Sequence, residues 1–259
     1  MLKLGQKVAL ITGGSTGIGK VIAEKFAEQG ADLYLCSRSK DKLKAAEKEL
    51  SKYDVKVKTF SADVCDLSQI QLMYDDFTSV YGGLDILVNG AGVHKPSKFQ
   101  DYTYDEFDKV IKTNLYGAVF ITQKFIGLMI EKNKGKIINI SSTAGKWGTK
   151  NQCAYNISKH ALNGFTKCLA LEMAQYNINV NAVCPWRVET ELSETSLIQH
   201  AEIRGISVDK LKEEYLNSVP MKKFLQPEDV ANLVLYLASE ESNMMTGQAI
   251  TISGGYLFI

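Results

Sequence analysis

The chain is 259 residues long, 45% hydrophobic and 23% charged, which supplies material for a sizeable core and argues against disorder. Thirty Lys and Arg against twenty-nine Asp and Glu give a net charge of +1, which argues against nucleic acid gripped through a broad basic surface but leaves room for a local basic cluster. Five widely spaced cysteines without a C-x-x-C pattern and three isolated histidines (His94, His160, His200) form neither a zinc pattern nor a disulfide framework, so the expectation is a cytoplasmic chain with no metal. No apolar run approaches the ~20 residues of a membrane span. The run entered after Met1–Gln6 stops at Gly13-Gly14, too short for a signal peptide.

Short β-branched runs alternate with amphipathic stretches along the whole chain. Lys7–Thr12 reads as a strand, Gly17–Gln29 as a helix and Asp32–Ser37 as a second strand. Lys40–Tyr53 is helical, with Leu43, Ala46 and Leu50 on one face; Val55–Ser61 is a strand, Leu67–Tyr81 a helix and Leu84–Asn89 a strand. Two helical segments follow within Tyr104–Lys132, then a strand at Lys136–Ser141 and a long helix at Gln152–Tyr176. Asn179–Cys184 is a sixth strand, Glu228–Ser239 a helix and Gln248–Ile252 a seventh strand. Continuous apolar strands such as Val8-Ala9-Leu10-Ile11 predict burial on both sheet faces. The alternation predicts an α/β fold: one doubly wound domain over residues 1–259, with a seven-stranded parallel sheet flanked by helices. Ligands of such sheets sit at the carboxyl ends of the strands.

Where the first strand hands over to the first helix stands Thr12-Gly13-Gly14-Ser15-Thr16-Gly17-Ile18-Gly19. Small residues let the backbone turn tightly and approach a pyrophosphate, and the helix N-terminus presents free N–H groups. A glycine string alone is equally a tight turn; its place directly after a buried first strand favours a Rossmann-like dinucleotide site. The second strand ends Ser37-Arg38-Ser39-Lys40, with no acid to hold a ribose 2′-hydroxyl. Arg38 can pair with a 2′-phosphate and Ser37 can add a hydroxyl, so NADP is expected over NAD, the alternative being a solvated basic loop.

Tyr155 and Lys159 are four residues apart on the long helix and share a face, and Ser141-Ser142 end the preceding strand at the edge where a cofactor belongs. A free tyrosine titrates near ~10, and a neighbouring ammonium lowers that value and makes the phenol a usable proton donor and acceptor. A serine hydroxyl beside it can hydrogen-bond a carbonyl oxygen. Tyr and Lys at this spacing are also common on ordinary helices.

The ordered set of motifs resembles the short-chain dehydrogenase/reductase family over essentially the whole chain: Thr12–Gly19, Asp63-Val64, Asn89-Gly90-Ala91-Gly92, Asn114, Ser142, Tyr155–Lys159, and Pro185 with Val188 and Thr190. The resemblance implies Tyr155 as general acid/base, with Lys159 lowering its pKa and bonding the nicotinamide ribose. It implies Ser142 as orienter of the substrate oxygen and Asn114 as holder of a relay water. It places Gly13, Ser15, Thr16, Gly17, Ile18, Gly19, Ser37 and Arg38 at the cofactor. Asp63 and Val64 belong at the adenine, Asn89 as brace of the fourth strand, Gly90 against the cofactor, and Pro185, Val188 and Thr190 at the nicotinamide. It further implies a homotetramer, in keeping with the apolar tail Tyr256–Ile259, and a mobile lid over about 187–225, where some forty residues exceed the usual short connection.

Two positions depart from the family pattern. Gly90 replaces an asparagine, and Trp186 replaces the glycine after Pro185, so that a large aromatic either points outward from a tolerant loop or lines the substrate pocket. The stripe Leu192, Leu197, Ile198, Ala201, Ile203, Leu211, Tyr215 and Leu216 in the lid is either local core or lining for an apolar substrate. Gly205–Ala231 resembles 3-hydroxybutyrate dehydrogenases and 3-oxoacyl reductases. The histidine and lysine with which the former hold a free carboxylate are here Ala144 and Gln152, which favours a 3-oxoacyl thioester or bulkier ketone over a small free acid. Ketone–alcohol interconversion on a small molecule is therefore the expected function. A sugar, polyol or steroid-type dehydrogenase is the alternative within enzymes, and a non-catalytic dinucleotide-binding regulator the alternative outside them. Arg38→Ala is expected to raise KM for NADPH at least tenfold more than for NADH; equal effects in steady-state kinetics would remove the NADP assignment.

Overall fold

A computed structural model describes residues 2–258; Met1 and Ile259, the last position of the apolar tail, lie outside the described residues. The elements run β1 (Val8–Thr12), α1 (Gly17–Glu28), β2 (Asp32–Ser37), α2 (Lys40–Leu50), β3 (Val57–Ser61), α3 (Leu67–Val80), β4 (Ile86–Asn89), α4 (Tyr104–Ile111), α5 (Gly117–Lys132), β5 (Gly135–Ile140), α6 (Cys153–Met173), β6 (Ile178–Pro185), α7 (Glu191–Arg204), α8 (Val208–Ser218), α9 (Pro227–Ala238) and β7 (Ala249–Ile252). The strands form one 7-stranded sheet in the order β3-β2-β1-β4-β5-β6-β7, and every pairing is parallel.

Both sheet faces are covered, which explains the unbroken apolar runs. Successive side chains of a strand point to opposite faces. Ala9 and Ile11 of β1 pack with Ile22 and Phe26 of α1 and Val234 of α9, while Leu10 packs with Met73 and Phe77 of α3 and Phe125 of α5. The edge strands β3 and β7 are only half-buried. Polar residues punctuate the helices: Ser39 caps α2, Asp66 caps α3, Thr103 and Glu106 form a capping box on α4, and Asn133 ends α5 at φ 51°.

Two features departed from the sequence expectation. The helical segments within Tyr104–Lys132 are joined by a wide turn, Lys112–Tyr116, of π type, which buries Asn114. The long connection after β6 is not irregular: it folds into α7 and α8, capped by Thr190 and Ser207 and joined through Gly205 at φ 65°. Leu197, Ala201 and Leu211 are buried between the two helices, so this part of the apolar stripe is local core, whereas Leu192 and Ile198 are exposed. The ends of the excursion meet where Val188 bridges Leu225, so the helix pair stands on a fixed stem.

Between β5 and α6 the chain makes a tight turn at Thr143–Gly145 that lies against α6. A Cβ on Gly145 would sit 2.6 Å from the Lys159 carbonyl oxygen and 2.7 Å from Asn163 Nδ2. Gly145→Ala must therefore push α6 away and is expected to cost about 1–3 kcal/mol. Thermal unfolding checks this, and an unchanged Tm would mean the turn does not press on the helix.

Candidate active site

β1 and α1 create the first part of the site. Gly13 and Gly17 take φ of +70° and +52°, and Gly13 N donates to Cys36 O at 2.8 Å, which folds the turn over the end of β2. A Cβ on Gly13 would lie 2.8 Å from Gly90 O, and one on Gly90 would lie 2.7 Å from Thr12 O. The missing side chain at position 90 is thus what lets the two strand ends approach. The Thr12 hydroxyl accepts from Gly90 N at 3.1 Å and from Ala91 N at 3.3 Å and holds them in register.

From this turn a cavity of about 1000 Å³ runs along the carboxyl edge of the sheet and under α7. It collects Gly13, Thr16, Gly17, Ile18, Gly19, Arg38, Gly90, Ser142, Tyr155, Lys159, Pro185, Trp186, Val188 and Thr190. The other residues singled out from sequence are not among its lining. Ser15 donates to Ser37 at 2.8 Å. Asp63 accepts from Cys65 N at 2.9 Å, and Val64 packs on Gly117. Asn89 donates to Thr122 at 2.9 Å and to Asn139 at 2.8 Å, tying β4 to α5 and β5. Asn114 accepts from Val93 N at 2.8 Å and donates to Val93 O at 2.9 Å and Ser158 Oγ at 3.1 Å, which fixes the loop after β4 against α6.

Ser142 follows β5 and presents its hydroxyl between Ala144 N, which donates to it at 3.1 Å, and Pro185 O at 3.4 Å. Tyr155 and Lys159 stand one turn apart on α6, with the Lys159 ammonium 5.7 Å from the Tyr155 ring centre. Lys159 is 4% exposed, its Nζ donates to Ile140 O at 2.8 Å, and burial brings its pKa down to about 8. Burial raises the Tyr155 pKa, while the Ser142 hydroxyl and the positive charge of Arg187 pull it down. The resemblance gives Lys159 a further share in that downward pull; here its ammonium lies on the same side of α6 as the phenol and donates to the strand carbonyl of Ile140.

The end of the cavity beside Tyr155 brings Gln152 together with His94, Ser196 and His200, whose place there sequence reasoning missed. His94 stands edge-on to Tyr155, ring centres 4.3 Å apart. Gln152 Oε1 accepts from His94 Nε2 at 3.0 Å and from His200 Nε2 at 3.3 Å, and Ser196 Oγ meets His94 Nδ1 at 2.7 Å. The network stitches α7 to the N-terminus of α6, and burial keeps both histidines neutral, their pKa values driven down to about 3 for His94 and about 4 for His200. These residues come from three segments of chain, so no spacing betrays them. Trp186 faces inward: its ring lies 4.7 Å from Tyr256, 5.6 Å from Phe224 and 6.4 Å from Tyr215, and Tyr256 also meets Trp147 at 5.2 Å. Tyr256 of the tail therefore docks on its own chain, while Phe258 is exposed.

No group of His, Cys, Asp and Glu among the described residues is placed to hold a metal ion, and no helix among them is long and apolar enough to cross a membrane. The glycine turn, the Ser-Tyr-Lys group and the sheet order together define a dehydrogenase of the short-chain type, and comparison with known proteins agrees. The family model described as short chain dehydrogenase matches residues 7–200, and the chain belongs to that family of oxidoreductases. It is 35% identical over 255 residues to the 3-oxoacyl-acyl-carrier-protein reductase FabG of Aquifex aeolicus, covering 98% of both chains. A putative ketoacyl reductase of Streptomyces coelicolor is 34% identical, with 96% of each chain covered. Among solved structures, levodione reductase superposes with a TM-score of 0.93 at 31% identity over 97% of this chain and 98% of the other. A variant of an actinorhodin polyketide ketoreductase with NADPH superposes with a TM-score of 0.93 at 34% identity over 96% and 97%.

The low Lys159 pKa has a measurable consequence. Between about 8 and the ordinary lysine value near ~10.4 the unfolded chain holds a proton that the folded chain has released, so folding stability rises with pH across that window. Relative to Lys159→Met, the cofactor-free protein is expected to gain up to about 3 kcal/mol from pH 8 to 10.5. A difference in denaturant unfolding free energy that stays flat with pH would mean the amine is not buried at this cost.

Proposed function

We propose that the protein is an NADP(H)-dependent reductase of a ketone with an apolar part, such as a 3-oxoacyl thioester, working also in the direction of alcohol oxidation. The observation that carries this reading is the convergence of Ser142, Tyr155 and Lys159 on the cavity that begins at the Gly13–Gly19 turn. The turn fits a dinucleotide: its left-handed glycines and the close approach to Gly90 leave a side-chain-free cradle at the N-terminus of α1. Arg38 is exposed at the cavity, and Ser37, whose Oγ accepts from Ser15, keeps its own proton free for a 2′-phosphate. Relatives named as ketoacyl reductases and a structural neighbour with NADPH support the same choice.

When bound, the nicotinamide supplies or accepts the hydride. Burial keeps the Tyr155 phenol protonated, which suits it to donate to a carbonyl oxygen as negative charge develops there. Ser142 Oγ donates to the same oxygen and orients it. The Arg187 charge eases formation of the phenolate that donation leaves behind. Lys159, with a pKa of about 8, is poised to pass a proton back near neutral pH, with Asn114 bracing the adjoining loop. The aromatic wall of Trp186, Tyr256 and Trp147 holds the apolar part of the substrate.

An NADPH and NADH oxidation screen over 3-oxoacyl thioesters, keto sugars and bulky ketones tests the reading. Turnover of at least one ketone is expected, and Tyr155→Phe is expected to lower kcat by about 10²–10⁴. Absence of turnover across the panel would favour a dinucleotide-binding regulator.

A further inference from the structure

The guanidinium of Arg187 stands at the substrate end of the cavity without an acidic partner. It follows Trp186 at the end of β6 and is half-buried. Its Nη1 donates to Ser193 O and Ser193 Oγ, each at 3.1 Å, and the guanidinium carbon lies 4.6 Å over the Tyr215 ring. No carboxylate among the described residues lies within ion-pair distance, whereas Arg204, at the same cavity, is matched by Glu214 at 2.7 Å. A guanidinium carries five donors in a planar fork, and the contacts to Ser193 through Nη1 and to the Tyr215 side chain leave part of that fork unused.

A cation withdrawn from water is costly unless a counter-charge meets it. The nearest acid, Glu194, acts on Arg187 only from beyond ion-pair distance and the Tyr215 side chain is its other polar neighbour, while His94 and His200 are neutral and Lys159 is itself a cation turned to Ile140 O. The charge of Arg187 acts on Tyr155, so an anion held here would sit close to the reacting hydroxyl. On the other side, the ring of Trp186 is flanked by Tyr215 and Tyr256.

Resting on the reading of the site as a reductase of ketones with an apolar part, we propose that Arg187 binds a carboxylate of the substrate, so that within that class a keto acid with an apolar or aromatic body is preferred over a thioester. The planar fork matches a carboxylate through two parallel charge-assisted bonds. Ala144 and Gln152 remove the cations expected of an acid-binding pocket on the α6 side, and Arg187 restores one from the β6 side. Its neighbours make this pocket suited to a larger acid than hydroxybutyrate.

The test is binding rather than turnover, so that it stands apart from the ketone screen. The full-length protein with NADP+ is titrated calorimetrically with 4-phenylbutanoate and with the neutral isostere 4-phenylbutanamide. The carboxylate is expected to bind at least tenfold more tightly, and Arg187→Met to bring the two within twofold. Should that variant fail to fold, Arg187→Lys keeps the charge without the fork and must reduce the preference at least threefold. Equal affinities, no saturable binding of either compound, or a preference that survives these substitutions overturns the proposal. A panel of ketones that oxidises no NADPH would instead remove the reductase reading, whatever the binding ratio.

Discussion

Everything at this site depends on how closely the carboxyl ends of β1 and β4 approach. β1 lies between β2 and β4, so the chain winds outward from it in both directions and leaves a crevice where the order reverses. Gly13 and Gly90 meet across that crevice so tightly that neither has room for a Cβ, and the Thr12 hydroxyl locks the contact. Bare backbone on both sides is what a pyrophosphate requires, because its oxygens are met by N–H groups rather than by side chains. Gly90, a departure from the family pattern, is therefore one side of that close approach.

Buried polar groups carry this geometry away from the crevice. Asn89, Asn139, Thr122 and Thr166 form a hydrogen-bonded ladder through the sheet into α5 and α6. Asn114, seated in the wide turn between α4 and α5, pins the loop after β4 to Ser158 of α6. Such networks act at low dielectric, where a satisfied bond is strong and an unsatisfied one is costly. They hold the helix bearing Tyr155 and Lys159 at a set distance from the strand ends, and the buried amine of Lys159 bears the electrostatic cost in a pKa of about 8.

The excursion after β6 lines the other end of the cavity. Its own small core of Leu197, Ala201 and Leu211 lets it stand as a unit, and its stem at Val188 and Leu225 fixes where it starts and returns. Trp186 at the foot of this stem is enclosed by Phe224, Tyr215 and Tyr256, so the aromatic that replaces a glycine closes one wall of the cavity instead of pointing into solvent.

Sequence alone determined the strand–helix alternation, the parallel sheet and the glycine turn, while Ser142, Tyr155 and Lys159 were singled out through the family resemblance. These are local: a buried strand, a tight turn and a helical face repeat every two to four residues and leave a period or a motif in the chain. The wide turn at Asn114 and the two helices after β6 were harder to read, because π geometry leaves no pattern and the lid stripe serves a local core as readily as a ligand. Trp186 and Gln152 stood out in the sequence, but the cluster around Tyr155 as a whole left no sequence signal. His94, Gln152, Ser196, Arg187 and Tyr256 come from separate segments and acquire meaning only when folding brings them within a few ångströms. Whether the charge of Arg187 is paired, and how far Tyr155 is desolvated, depends on distances across the cavity, because Coulomb energy and desolvation follow spatial neighbours and not neighbours in the chain.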